Sequence, residues 1–114
     1  MATREIAKEH LKDYFDHFSM IMPTELVEIE VAGLDLGDQI EAEWAPMTGI
    51  SYDPKDDVVV VELEDGKVQH NIRSPAEVVV DEDDNGIHSI SIRCGEGHLH
   101  VLRLKEPRLL PEKD

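Results

Sequence analysis

Cysteine, aromatic residues and positive charge are all scarce in this chain of 114 residues. Its one cysteine, Cys94, cannot form a disulfide within the chain, which excludes a disulfide-stapled secreted scaffold. The chain has only two Phe, two Tyr and one Trp, so Val, Ile and Leu must supply most of any core. No apolar run approaches the roughly 20 residues that span a bilayer, and residues 1–10 are charged where a signal peptide would be apolar. The sequence therefore predicts a cytoplasmic protein with one aliphatic core.

Lysine and arginine total 11 against 26 aspartate and glutamate residues, which gives a formal net charge of −15 at pH 7. A field of this sign repels the phosphate backbone of nucleic acids and the surface of anionic membranes. We therefore expect neither nucleic acid nor membrane as a partner. A solvated acidic surface is the simplest explanation of the charge, and basic proteins or cations are the partners that it would attract.

An amphipathic helix is predicted from residue 3 to about residue 22. Thr3 is suited to cap its first turn, Glu5 to lie at the positive end of its dipole, and Pro23 to end it. The apolar side chains recur at helical spacing and form one stripe, which consists of Leu11, Tyr14, Phe15, Phe18, Ile21 and Met22.

Beyond Pro23 the apolar period changes from about 3.6 to 2, which is typical of strands. In the segment DQIEAEW, the alternation predicts that Ile40, Ala42 and Trp44 face the core. Gly33 and Gly37 bracket a predicted hairpin connection. Besides residues 25–34 and 38–44, strands are predicted over residues 49–52, 58–64, 70–73, 77–80, 87–94 and 98–104.

These elements predict an α+β fold. The N-terminal amphipathic helix precedes an antiparallel meander of about six to eight short strands, which form a rolled sheet or a partly open barrel. We expect a single domain over residues 1–106. Residues 107–114 contain two prolines and are expected to form a loosely ordered C-terminal tail.

The segment DEDDNG resembles the first half of a calcium-binding loop. Asp81, Asp83 and Asn85 alternate as calcium ligands would, and Gly86 lies where such a loop turns. The twelfth position, however, is Ile92 and not the required glutamate, and strands flank the segment instead of helices. A β-hairpin with Asn-Gly in its turn is therefore favoured, with a weak cation site as the alternative.

The segment CGEGHLH holds a second group of candidate metal ligands. A three-residue loop would place Cys94 across from His98, with His100 on the same face, so one thiolate and two imidazoles could bind zinc or copper. Ordinary packing is the alternative, because cysteine often behaves as a small apolar residue. The remaining histidines are interpreted as boundary residues and not as ligands; they are His10, His17, His70 and His88.

Glutamates recur on two neighbouring predicted strands. Pairing Val27 with Trp44 would bring Glu28 opposite Glu43 and Glu30 opposite Glu41, an arrangement that needs a cation, a basic group or a local twist to relieve repulsion. No glycine-rich phosphate loop, Gly-x-Ser-x-Gly motif or pair of Cys-x-x-Cys motifs occurs, so the sequence gives little support for an enzyme and predicts no cofactor.

Six short segments occur in order along the chain: TREI, YFDHFS, LVEIEVAGLDLGDQIEAE, GIS, HNIRSP and VLRL. Together they resemble a small bacterial family that is catalogued only as a domain of unknown function, over residues 3–104. Its pattern does not require Cys or His near the C-terminus, and it points to a shared surface over residues 35–43. A second, weaker similarity joins SYDPKDDVVVVELEDG and VVVDEDDNGIHSISI to another uncharacterised bacterial family. Neither resemblance implies a substrate, a cofactor or a catalytic residue.

The sequence favours a non-enzymatic interaction or accessory domain. Its strand-rich pattern offers a sheet face or a strand edge to a protein partner or to a second copy of the chain. The alternative is a cation- or metal-binding protein that uses Cys94, His98 and His100, or the acidic turn from Asp81 to Asn85.

Overall fold

A computed structural model of the chain describes residues 2–21, 25–33 and 37–108. The helix end predicted at Met22 and Pro23, the centre of the hairpin between Gly33 and Gly37, and residues 109–114 of the predicted tail lie outside these ranges. The described elements, in chain order, are β1 (Ala2–Ile6), a 3-10 helix (Lys8–His10), α1 (Leu11–Ile21), β2 (Glu25–Gly33), β3 (Gly37–Asp53), β4 (Val58–Leu63), β5 (Val68–Arg73), β6 (Pro75–Asp83), β7 (Gly86–Cys94) and β8 (Leu99–Arg108).

All eight described strands belong to one antiparallel sheet, in the order β1-β6-β7-β8-β2-β3-β4-β5. Strands β2 to β5 form one meander and β6 to β8 form another, and β8 joins the two by pairing with β2. The sheet is not closed, since β1 and β5 are its edges. The fold is thus mostly β with one short helix, and the predicted α+β class holds in that coarse sense.

The N-terminal segment is a strand, so the prediction that the helix begins near Thr3 is wrong. Strand β1 pairs with β6, with Ile6 opposite Val78. The α-helix begins only at Leu11, after the 3-10 helix, whose N-cap residue Ala7 makes no side-chain hydrogen bond. Thr3 and Glu5 therefore do not cap a helix, because pairing with a strand distant in sequence outweighs the local pattern.

The core lies between α1 and one face of the sheet. The helix contributes Leu11, Phe15 and Phe18, which are almost completely buried, as its apolar stripe predicts. The inward side chains of the strands are mostly Val, Ile and Leu, as the scarcity of aromatic residues requires. The opposite face of the sheet, hereafter the outer face, carries most of the charged strand residues.

The helix also covers a backbone edge of β3. Strand β2 pairs with β3 only as far as Met47, so the segment of β3 beyond it has a strand, β4, on one side only. There the Ile50 N–H donates to the Ser19 hydroxyl at 2.9 Å, and this hydroxyl donates to the Ile50 carbonyl at 2.5 Å. One side chain of α1 thus satisfies both backbone groups of a residue on the side of β3 that faces away from β4.

Strand β3 is one strand of 17 residues where two short ones were predicted, and its register against β2 is irregular. Val27 pairs with Ala45 and Ile29 with Ala42, so β3 holds an extra residue between these pairs. Trp44 lies in this bulge with a positive φ of 49°. It is 37% exposed, so the prediction that Trp44 faces the core is wrong; Ala45 and Met47 pack inward instead. The side chains of Ile40 and Ala42 are outside the description.

A single residue, Ser74, joins β5 to β6 with a φ of +52°. Because β5 is the last strand in the sheet order and β6 is the second, the sheet must curl for one residue to connect them. Gly95, in the loop after β7, lies close to this corner, since a Cβ built on it would be 3.2 Å from the Ser74 Cβ. The corner therefore brings β5 near the β7–β8 hairpin.

Candidate functional site

The acidic segment forms the β6–β7 hairpin, and this prediction is confirmed. Asp83 pairs with Gly86, which leaves Asp84 and Asn85 in the turn. Of these residues only Gly86 has a positive φ, 120°. In an Asn-Gly turn the glycine is the second of the two turn residues, whereas here Gly86 is the first residue after the turn.

The three predicted calcium ligands have different surroundings. Asp83 accepts a hydrogen bond from the Asn85 N–H at 2.8 Å, and its other oxygen lies 2.8 Å from His88 Nε2. The His88 and Asn85 contacts lower the pKa of Asp83. Asp81 Oδ1 is buried, and it has no hydrogen-bond partner among the described residues. Asp83 is thus committed to stabilising the turn.

The β7–β8 hairpin has the predicted register. The Cys94 N–H donates to the His98 carbonyl at 2.9 Å, and the Gly97 N–H donates to the Cys94 carbonyl at 2.9 Å. Gly97 has a φ of 88°, which suits the left-handed position of a three-residue loop. Ile92 pairs with His100, so Cys94 and His100 both lie on the inward side, where each is buried.

A histidine from a distant strand joins this hairpin. His70 Nε2 of β5 lies 3.0 Å from His100 Nδ1 of β8, and the ring centroids are 5.1 Å apart. Three strands lie between β8 and β5 in the sheet order, so the contact reaches across the inside of the curled sheet. The sequence interpretation of His70 as a boundary residue missed it. The available signal was that His70 alternates with the buried Ile72.

The environment of His100 keeps its imidazole neutral. Burial, followed by the nearby charges of His70 and His98, lowers the pKa of His100 from 6.5 to about 4. At neutral pH one of the two facing nitrogens of His70 and His100 must therefore donate a proton and the other accept it. Such a pair can share a proton, and its lone pairs are of the kind that bind metals.

A complete metal site is not assembled around this pair. Within residues 2–21, 25–33 and 37–108, no group of three or more His, Cys, Asp or Glu side chains is arranged to hold a metal ion. Cys94, His98 and His100 thus share a hairpin, and His100 has a second imidazole at contact distance in His70. Whether they bind metal stays a prediction.

The glutamates of β2 are paired with an arginine of β8. Arg103 of β8 is paired directly with Glu28 in the register, and its Nη1 lies 3.2 Å from Glu28 Oε1 and 2.7 Å from Glu30 Oε1. The predicted pairing of Glu30 with Glu41 is wrong, because the irregular register places Glu30 opposite Ile40. One guanidinium thus holds two carboxylates on the outer face.

An apolar surface lies beside this charge group and includes the only tryptophan of the chain. It consists of the apolar residues Leu26, Trp44 and Pro46 together with Lys105, whose ammonium lies over the Trp44 ring, and is hereafter called the Trp44 surface. Leu26 pairs with Pro46 and is 38% exposed. Lys105 Nζ lies 5.9 Å from the centroid of the Trp44 ring, a cation–π distance. Because β2 lies between β8 and β3, the Lys105 side chain extends over β2 to reach the ring.

Comparison with known proteins gives a family and no activity. The model of a family described as "Family of unknown function (DUF5335)" matches residues 2–113. The chain belongs to the DUF5335 family. An uncharacterised protein of Aquifex aeolicus (strain VF5) is 41% identical over 112 residues, which cover 98% of this chain and 100% of the relative. The predicted resemblance to a bacterial domain of unknown function is therefore confirmed.

DUF5335 membership carries no substrate, cofactor or residue role to these positions. No solved structure matches the chain. None of the helices in the described part is long and apolar enough to cross a bilayer. The function of this DUF5335 protein must therefore be argued from its own surface and side chains.

Proposed function

We propose that this protein is a non-enzymatic interaction or accessory domain that binds another protein molecule through the Trp44 surface. The observation that carries the proposal is the exposure of the chain's only tryptophan on the outer face, in a backbone conformation that bulky residues rarely adopt. A non-glycine residue at positive φ costs of order 1–3 kcal/mol, and such strain is concentrated at functional positions. Tryptophan is also among the residues that contribute most to protein interfaces.

An enzymatic role has less support from the groove that lies beside the helix. This groove, of about 460 Å³, is open to solvent between α1 and β3 and β4, and Asp16, Ser19, Met20 and Glu62 are among its lining residues. Its Ser19 hydroxyl is already engaged by both backbone groups of Ile50. That hydroxyl therefore serves the fold and is poorly placed to act as a nucleophile.

The test compares three forms of the full chain: wild type, Trp44→Ala and Met20→Ala. Met20 is the control because it is an apolar residue that is 78% exposed on α1 and is not part of the Trp44 surface. We expect wild type and Met20→Ala to self-associate in sedimentation, or to retain a specific protein from host lysate, and Trp44→Ala to do neither. A strict monomer that retains nothing, or binding that is unaffected by Trp44→Ala, would contradict the proposal.

Metal binding is a second candidate function, favoured by the facing nitrogens of His70 and His100. A zinc or copper ion would replace the proton that the two rings share, and His98 and Cys94 are the nearest further donors along the hairpin. The acidic turn is weaker as a site, because Asp83 is committed to Asn85 and His88.

The metal proposal is tested on protein that carries no histidine tag. Cobalt titration should give absorption bands of a bound ion, and zinc should raise the melting temperature of wild type but not of His70→Gln. His88→Gln is the matched control, since it removes an imidazole outside the pair. No stoichiometric metal and no melting shift in wild type would refute this function.

The same proposal includes a finer description of the sheet and a cellular location. The contact between His70 and His100 supports a description of the curled sheet as a partly open barrel. The presence of a single cysteine, which cannot form a disulfide within the chain, supports residence in the cytoplasm. Localisation of a fluorescent fusion in bacterial cells would test the second point.

A further inference from the structure

We infer that the Trp44 surface binds a basic segment of its protein partner, with a lysine or arginine side chain of the partner in contact with the Trp44 ring. This inference rests on the proposed function and adds the chemistry of the partner. It is supported by three features of the surface: the cation that already contacts the ring, the carboxylates around it, and the charge of the whole chain.

The Trp44 ring already holds a cation from its own chain. Lys105 extends over β2 and places its ammonium 5.9 Å from the ring centroid. The indole ring is the aromatic group that attracts cations most strongly, and the attraction grows as water is excluded. Lys105 thus shows that an ammonium group can reach the ring from the outer face. A cationic side chain of a partner would either displace Lys105 or contact the part of the ring that Lys105 does not cover.

Carboxylates lie around the Trp44 surface. Glu43 precedes Trp44 and is exposed. The backbone N–H of Glu64, another exposed residue, donates to the Pro46 carbonyl at 2.8 Å, so the β4–β5 turn adjoins the surface. Glu28 lies two residues from Leu26 on the same outer face and shares Arg103 with Glu30. An apolar centre with a mostly acidic rim is complementary to an apolar segment that carries positive charge.

The net charge of the chain favours a basic segment over a second copy of the chain as the partner at this surface. A second copy would bring another net charge of −15 against this rim, whereas a basic segment would be drawn to it. Leu26 and Pro46 supply apolar contact beside the ring, so a partner side chain with an apolar stem and a cationic head fits the surface. Lysine and arginine have this form.

The test measures binding of a fluorescently labelled hexa-arginine peptide to the full chain, in about 0.15 M NaCl so that distant charges are largely screened. A hexa-citrulline peptide of the same length is the uncharged control. We expect hexa-arginine alone to bind, and Trp44→Leu to weaken its binding by about three- to tenfold, because leucine keeps apolar contact but lacks the ring. Lys105→Gln should strengthen binding by about twofold, because it removes the competing cation.

Two variants that remove the same charge distinguish binding at the Trp44 surface from general attraction to the acidic chain. Glu43→Gln and Glu96→Gln each remove one exposed carboxylate, but Glu96 lies in the β7–β8 loop. We expect Glu43→Gln to weaken peptide binding and Glu96→Gln to leave it unchanged. Both positions are exposed, so these variants test the site even if Trp44→Leu folds poorly.

The outcomes distinguish this inference from the function on which it rests. Equal binding of hexa-arginine by wild type and a folded Trp44→Leu, or equal losses in the two glutamate variants, would overturn the inference. If sedimentation or lysate capture still depended on Trp44, the interaction function would stand with a partner that is not basic, such as a second copy. If neither readout depended on Trp44, both proposals would fail.

Discussion

The buried imidazole of His100 makes the stability of this protein depend on pH. In the folded chain the pKa of His100 is about 4, against 6.5 for an ordinary histidine. Between pH 6.5 and about pH 4 the unfolded chain therefore binds a proton that the folded chain does not. The contribution of His100 to stability is complete above pH 6.5 and is lost as the pH falls from 6.5 toward 4.

We expect the melting temperature of wild type to fall between pH 7 and about pH 4.5, and that of His100→Leu to fall less, because leucine does not titrate. His17→Gln is the control, since it removes a histidine on α1 and leaves the pair intact. Carboxylates with a lowered pKa, such as Asp57, change the stability of the fold at a lower pH than this window. Equal slopes for wild type and His100→Leu would show that His100 is not the responsible group.

Gly86 is predicted to be the most sensitive residue of the acidic turn. Its φ of 120° is a conformation that a β-branched residue adopts only with strain, so Gly86→Val should destabilise the fold by about 1 to 3 kcal/mol. Urea denaturation measures this change, with the exposed Asp84→Ala as control. Greater harm from Asp81→Ala or Asp83→Ala than from Gly86→Val when calcium is present would instead identify a calcium site.

At the scale of single elements, the contact of α1 with the edge of β3 depends on one hydroxyl. Ser19→Ala would leave the Ile50 N–H and C=O without their partner, so we expect a loss of about 1 to 3 kcal/mol in unfolding free energy. The amide of Ile50 should also exchange hydrogen faster. Ser51→Ala, at an exposed position of β3, is the matched control and should be nearly neutral.

Most elements of this fold could be predicted from the sequence, because alternation and turn residues act locally. Strand β7 was predicted over residues 87–94 and occupies Gly86–Cys94, and β4 differs from its prediction by one residue. Strand β1 could not be predicted, since among residues 3–6, whose burial is described, Ile6 alone is both apolar and buried, and the conformation of β1 depends on β6. The bulge at Trp44 could not be predicted either, because an apolar pattern with a period of 2 gives no sign of an inserted residue.

The candidate sites were predictable only where their residues are close in sequence. Cys94, His98 and His100 share one hairpin, and loop length alone determined their register. The contact of His70 with His100 depends on the curl of the whole sheet, which no local pattern encodes. The exposed Trp44 was missed for a related reason, since one bulge decided which face it joined.

At the scale of the whole molecule, the net charge of −15 should make the fold more stable in salt. Folding brings the carboxylates closer together, and dissolved ions screen their mutual repulsion. We expect the melting temperature to rise as NaCl is raised from about 0.01 to about 0.5 M. Weakening of exposed ion pairs such as that of Arg4 with Glu82 opposes this trend, but such pairs contribute only about 0 to 1 kcal/mol. A flat or falling melting temperature would contradict the expectation.

The position of β8 in the sheet has a consequence for how cells make this protein. The ribosome releases β8 after the other seven described strands, yet β8 lies between β7 and β2 and joins the two meanders. Until residues 99–108 emerge, β7 and β2 each present an unpaired edge to neighbouring nascent chains. Folding must therefore be completed late in synthesis, and a chain stalled before β8 would be prone to aggregate.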